Sequence, residues 1–101
     1  MKVDPLKDWL PVGTVIAARF IDKKLMIIGY GPIDSKTKRV YDYSAVVYPD
    51  GFATRDNIVM INRDFISRVY YFGYSTKKYK DFSKTIDDAI KEYNERNNKN
   101  E

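Results

Sequence analysis

The spacing of apolar residues changes once along this chain, near Ser75, and that change bounds what it can fold into. From Thr14 to Tyr74 the apolar residues come in short runs of β-branched and aromatic side chains, broken by Gly, Pro or polar residues. Runs of that kind read as strands. After Ser75, the residues Tyr79, Phe82, Ile86, Ala89, Ile90 and Tyr93 recur at intervals of three and four, and Gly and Pro are absent. That interval lays one apolar stripe along a helix. The chain therefore reads as strands first and a helix last.

The strands are expected over 14–21, 25–30, 39–48, 58–61 and 67–74, with 32–38 a polar loop and 52–57 irregular. Pro49-Asp50-Gly51 is a turn with a mechanism, because Pro presets φ and Gly permits positive φ. Residues 62–66 can make one tight helical turn with Asn62 as its cap. Ser75 or Thr76 is the expected cap of the long helix, with Asp81 as the alternative. Residues 1–9 form a polar lead-in, 10–74 a small β domain, 75–97 an amphipathic helix and 98–101 a frayed tail. With 101 residues there is little room for a second domain. The expected fold is α+β, mainly β: a small five-stranded antiparallel SH3-like barrel or bent sheet with a C-terminal α-helix. The short helical turn before the last strand favours an SH3-like barrel over an OB-type one.

The chain contains no His and no Cys. A Cys/His zinc site, a thiol nucleophile, a disulfide framework and an imidazole base are all excluded. Other patterns that could carry chemistry reduce to structure. Gly29-Tyr30-Gly31 lacks the third glycine of a dinucleotide loop, because Asp34 stands in its place. Ser-x-x-Lys occurs twice, at Ser35 and at Ser75, without the partner motifs that a serine hydrolase needs. Asp87 and Asp88 are adjacent on a helix, point apart and belong to its polar face. Asp42, between Tyr41 and Tyr43, reads as a residue on the wet face of its strand. The expectation is a non-enzyme with no cofactor.

Lys and Arg number 18 and Asp and Glu 14, a net charge of +4. The two signs are interleaved, and no block of five like charges occurs. Basic clusters at Lys23-Lys24, Lys36-Lys38-Arg39 and Lys77-Lys78-Lys80 flank tyrosine-rich strands, an arrangement small barrels use to hold single-stranded nucleic acid. That reading is the alternative to a protein partner. No apolar run approaches the ~20 residues that span a bilayer, and Asp4 and Pro5 stand where a signal peptide would turn apolar. A cytoplasmic protein is expected.

Tyr70-Tyr71-Phe72 with Tyr74 places large aromatics on both faces of one strand. One face must be core. The other is either covered by the helix or exposed to a partner, and cover by the helix is the plainer reading. The residues expected to meet a partner are Tyr48, Phe52, Tyr70, Phe72, Tyr74, Tyr79 and Phe82.

An ordered series of motifs runs through the β region. It comprises Leu10-Pro11-Val12-Gly13-Thr14-Val15-Ile16, Lys23-Lys24-Leu25-Met26-Ile27-Ile28-Gly29-Tyr30, Tyr41-Asp42-Tyr43, Tyr48-Pro49-Asp50-Gly51 and Phe72-Gly73-Tyr74. Over residues 10–74 this series resembles a family of small Gram-positive proteins carrying a domain of unknown function. Members are encoded in type VII secretion loci, beside LXG-type toxins and small helical WXG-like proteins. The resemblance implies an accessory role: an adaptor or targeting chaperone for a secreted toxin or its helical partner. It carries over no catalytic residue. The basic loop at 32–38 and a less acidic C-terminal segment depart from the family pattern, and both bear on partner contacts more than on fold.

Overall fold

The computed structural model describes residues 4–99. Its elements are β1 (Val15–Ala18), β2 (Leu25–Tyr30), β3 (Tyr43–Val47), β4 (Val59–Ile61), β5 (Ile66–Tyr71) and α1 (Lys77–Lys99). All four strand pairings are antiparallel, in the order β4-β3-β2-β1-β5. The sheet is open, with β4 and β5 as its edges. The fold is the α+β, mainly β class expected, in its bent-sheet form rather than as a closed SH3-like barrel.

Chain connectivity forces the bend. Ile61 ends one edge strand and Ile66 begins the other. Five residues of chain reach at most about 18 Å, whereas a flat five-stranded sheet places its edges about 19 Å apart. A 3-10 turn at Arg63–Phe65 shortens that reach further. The sheet must therefore curl to bring its edges toward each other. Register shifts at Val15/Ile16 and Ala17/Ala18 in the β1–β5 pair, and at Ile27/Gly29 in the β2–β3 pair, supply the local bends.

The concave face holds the core. Ile16, Ala18, Leu25, Ile27, Tyr43, Ala45 and Ile61 meet Trp9 and Leu10 from the N-terminal segment and Ile86 from the helix. Trp9, expected in a polar lead-in, is thus a core residue. Most of that lead-in is exposed, but its last residue is drawn inward by aromatic neighbours the local sequence does not reveal; residues 1–3 lie outside the described chain.

Thr76 caps α1, its side-chain oxygen accepting the Tyr79 amide at 3.0 Å. The helix spans Lys77–Lys99 where 75–97 is expected. Its far end is tied down, because the Tyr93 hydroxyl and the Asn97 amide both donate to the Lys38 carbonyl. Of the frayed tail expected at 98–101, residues 100 and 101 lie outside the described chain.

Other departures have local causes. The first strand stops at Ala18, and Phe20 turns the chain with φ of 68°. The third begins at Tyr43, with Val40 making only an isolated bridge to Ile33. Within the irregular 52–57 stretch, Arg55–Asn57 forms a 3-10 turn. Asn62 precedes the second 3-10 turn but does not cap it with its side chain. Its Oδ1 accepts the Asp42 amide at 3.0 Å, while Asp42 Oδ2 accepts the Arg63 amide at 2.8 Å. Asp42 supplies the cap expected of Asn62, and the two side chains lock the start of β3 to the end of β4.

Candidate interaction surface

The tyrosines divide by what their rings and hydroxyls do. Three fasten the N-terminal segment to the body. The Tyr43 hydroxyl accepts the Leu10 amide at 2.8 Å, the Tyr30 hydroxyl donates to the Leu10 carbonyl at 2.6 Å, and the Tyr79 hydroxyl donates to the Trp9 carbonyl at 2.7 Å. The rings pack as well. Trp9 meets Tyr43 and Tyr30 edge-on at 5.2 and 5.7 Å, and Phe82 of the helix rests on Tyr30 at 5.8 Å. The Arg63 guanidinium covers the Trp9 ring at 4.2 Å and pairs with Asp42 of the sheet and Asp87 of the helix. This cluster couples the lead-in, the sheet and the helix, and its hydroxyls and ion pairs are spent on structure, while the buried Trp9 Nε1 has no hydrogen-bond partner.

Burial raises the Tyr43, Tyr79 and Tyr30 phenols above their ordinary value near 10. For Tyr79 the neighbouring Tyr30 adds to the effect. A phenol held protonated in the fold contributes stability that is complete below its unfolded pKa, and this is lost as pH climbs through the raised folded value. Each fully buried phenol such as Tyr43 contributes a slope of about 1.4 kcal/mol per pH unit in that window. The melting temperature followed by circular dichroism should therefore be flat to about pH 10 and fall steeply above it. A melting temperature unchanged at pH 11 would show that these hydroxyls are not held protonated by the fold.

The opposite, convex face of the sheet carries exposed tyrosines, although Val15 and Val46 on it are buried. Val15, Met26, Tyr48, Tyr70 and Tyr71 line a shallow cleft of about 490 Å³ with Gly13 and Lys24, and no helix residue contributes to it. Tyr48, Tyr70 and Tyr71 are 49%, 46% and 62% exposed. Lys24 Nζ lies 4.6 Å and the Arg68 guanidinium 5.0 Å from the centre of the Tyr70 ring. The helix therefore does not cover the second face of the aromatic strand, contrary to the plainer reading of the sequence. It lies instead beside Trp9, Tyr30 and the core, because its stripe residue Ile86 is buried there and Asp87 reaches Arg63.

The residues expected to meet a partner do not form one surface. Tyr48 and Tyr70 share the convex cleft. Tyr74, Tyr79 and Phe82 line a second, apolar depression with Pro11, Val12 and Tyr30. Phe72 packs against the core, Tyr79 is part-buried, and Phe52 is exposed outside both clefts. Sequence reasoning missed Tyr71 and Met26 in the convex cleft. In register, Val15 opposes Tyr71 but Ile16 opposes Val69, so the shift inserts Tyr70 as an extra residue. Both tyrosines consequently remain exposed where strict alternation would bury one. Phe20 was missed too: its aromatic character reads as strand, yet it is 95% exposed in the turn after β1.

Among the described residues no cluster of three acidic side chains is placed to hold a metal, and no helix is long and apolar enough to cross a membrane. A family described as a domain of unknown function, DUF4176, matches residues 9–82. The chain belongs to the DUF4176 family. Neither a curated protein nor a solved structure matches it. The DUF4176 span contains the whole sheet, Trp9 and the first turns of the helix through Phe82. It therefore includes every residue of the convex cleft, while the stripe residues Ile86, Ile90 and Tyr93 fall beyond it. The family description assigns DUF4176 no activity.

Proposed function

We propose that this protein is a non-enzymatic binding module, an adaptor or targeting chaperone of type VII secretion acting in the cytoplasm. Its partner is the N-terminal region of an LXG-type toxin or the small helical protein that accompanies it. The observation that carries the binding role is the exposed aromatic cluster formed by Tyr48, Tyr70 and Tyr71. Tyrosine at such a surface joins a large apolar ring to a polar tip, which is why it is enriched in protein interfaces. The secretion context rests on the motif series between Leu10 and Tyr74. The absence of His and Cys and the structural use of Asp42 and of the buried tyrosines support a role without catalysis.

Co-expression with the N-terminal region of the toxin encoded beside it, together with the helical partners, followed by size exclusion, tests this. Co-elution as one complex is expected. Separate elution from both would remove the proposal.

A second reading is favoured by one observation, the pair of cations flanking the exposed Tyr70 ring. A single strand of nucleic acid stacking there would bind with an affinity falling steeply with salt.

A further inference from the structure

The geometry points to the convex sheet face as the docking surface for an acidic amphipathic helix of the protein partner. This deepens the binding role proposed above and rests on it.

The backbone decides the shape of the occupant. β1 and β2, which supply Val15 and Met26, are each paired on both sides. β5, which supplies Tyr70 and Tyr71, does have a free edge, but a strand added there would extend the sheet sideways rather than cover Val15 and Met26, so the floor of the cleft offers only side chains. A layer of rings and a flexible thioether suits the side-chain ridge of a helix, the usual second layer on a sheet. The chain's own helix occupies the other side of the sheet, against Trp9 and the core.

Charge decides its chemistry. Lys24 and Arg68 flank Tyr70, and among the described residues neither forms an ion pair with a carboxylate. No Asp or Glu lines the cleft. Two unpaired cations around an apolar floor complement a segment that sets carboxylates beside its apolar anchors. A nucleic-acid strand is the poorer match. It needs a basic track along its backbone, whereas here both cations converge on one ring and the acidic residues of the chain are interleaved throughout.

Heteronuclear NMR titration of the full chain separates these cases. The probes are a helix-forming peptide of about 15 residues, long enough to be marginally helical alone, with a leucine face flanked by glutamates; the same peptide with lysine for every glutamate; and oligothymidylate. The inference expects the glutamate peptide alone to shift the signals of Tyr48, Tyr70 and Tyr71. It also expects K24E/R68E, which alters two exposed side chains, to weaken that binding by about tenfold or more while leaving the melting temperature unchanged. Equal binding of the lysine peptide, shifts confined to Tyr74 and Phe82, binding of oligothymidylate in its place, or no binding would each overturn it. The co-elution experiment stays independent. If K24E/R68E binds the toxin region with the same affinity as wild type, the binding role stands and this surface is wrong. If wild type fails to co-elute, the secretion role falls whatever the peptide does.

Discussion

Replacing Tyr43 should cost more stability than any other single change to a tyrosine in this protein. Its ring is fully buried at the centre of the concave face, in contact with Trp9 and Tyr30. Truncation to alanine removes an aromatic core side chain, a loss of about 3–5 kcal/mol. A domain of this size has a total stability of about 5–15 kcal/mol, so Tyr43→Ala should be close to unfolded at the lower end of that range. Tyr43→Phe isolates the hydroxyl. It leaves the ring in place but strands the Leu10 amide, which is itself buried and has the phenol oxygen as its partner. An orphaned buried amide costs about 1–3 kcal/mol. Urea denaturation followed by circular dichroism measures both. If Tyr43→Phe proves as stable as wild type, the hydroxyl does not fasten the N-terminal segment.

Gly73→Ala should be the second severe change, for a different reason. A Cβ at this position would stand 2.6 Å from the Val12 carbonyl oxygen, 3.0 Å from the Thr14 nitrogen and 3.2 Å from the Gly13 carbonyl carbon. All three are backbone atoms and cannot rotate aside. The segment that follows β5 must then retreat from the turn at 12–14. Doing so pulls the Gly73 amide from the Thr14 hydroxyl, which it meets at 3.0 Å in a buried site. Overpacking of this kind costs about 1–3 kcal/mol, and the lost hydrogen bond adds about 1 kcal/mol. Gly29→Ala is the matched control, because the nearest atom to its Cβ would be the Ser44 hydroxyl at 3.4 Å, a side chain that can move. The urea midpoint of Gly73→Ala should fall well below that of Gly29→Ala. Equal midpoints would mean that the close approach of residue 73 to the 12–14 turn is not part of the folded state.

What could be read from the sequence was local. The second strand has the bounds its β-branched run implies, the 3-10 turn sits before the last strand, and Thr76 caps the helix where the periodicity changes. What could not be read depends on partners far along the chain. Trp9 looks like part of a polar lead-in because the groups that bury it, Tyr30, Tyr43, Arg63 and Tyr79, lie between 21 and 70 residues away. Asn62 looks like a cap because its chemistry is right, but Asp42, just before β3, takes that role. The candidate surface was half legible. Tyr48 and Tyr70 follow from aromatic density, whereas Tyr71 requires knowing where the register shifts. The side of the sheet taken by the helix is set by Ile86, by the Phe82–Tyr30 ring contact and by the hydrogen bonds of Tyr79 and Tyr93 to Trp9 and Lys38, none of which marks its partner in the sequence.

The pairing of β1 with β5 also sets a clock. Val15 opposes Tyr71, so 56 residues separate the two strands. At a synthesis rate of about 5–20 residues per second, β1 waits roughly 3–11 s for that neighbour to be made. Until then a short run of Val, Ile and Ala has an uncovered edge, and the residues that complete the convex aromatic face do not yet exist. The convex cleft thus draws on both the first and the last strand to leave the ribosome, and a nascent chain cannot present it before its sheet is complete.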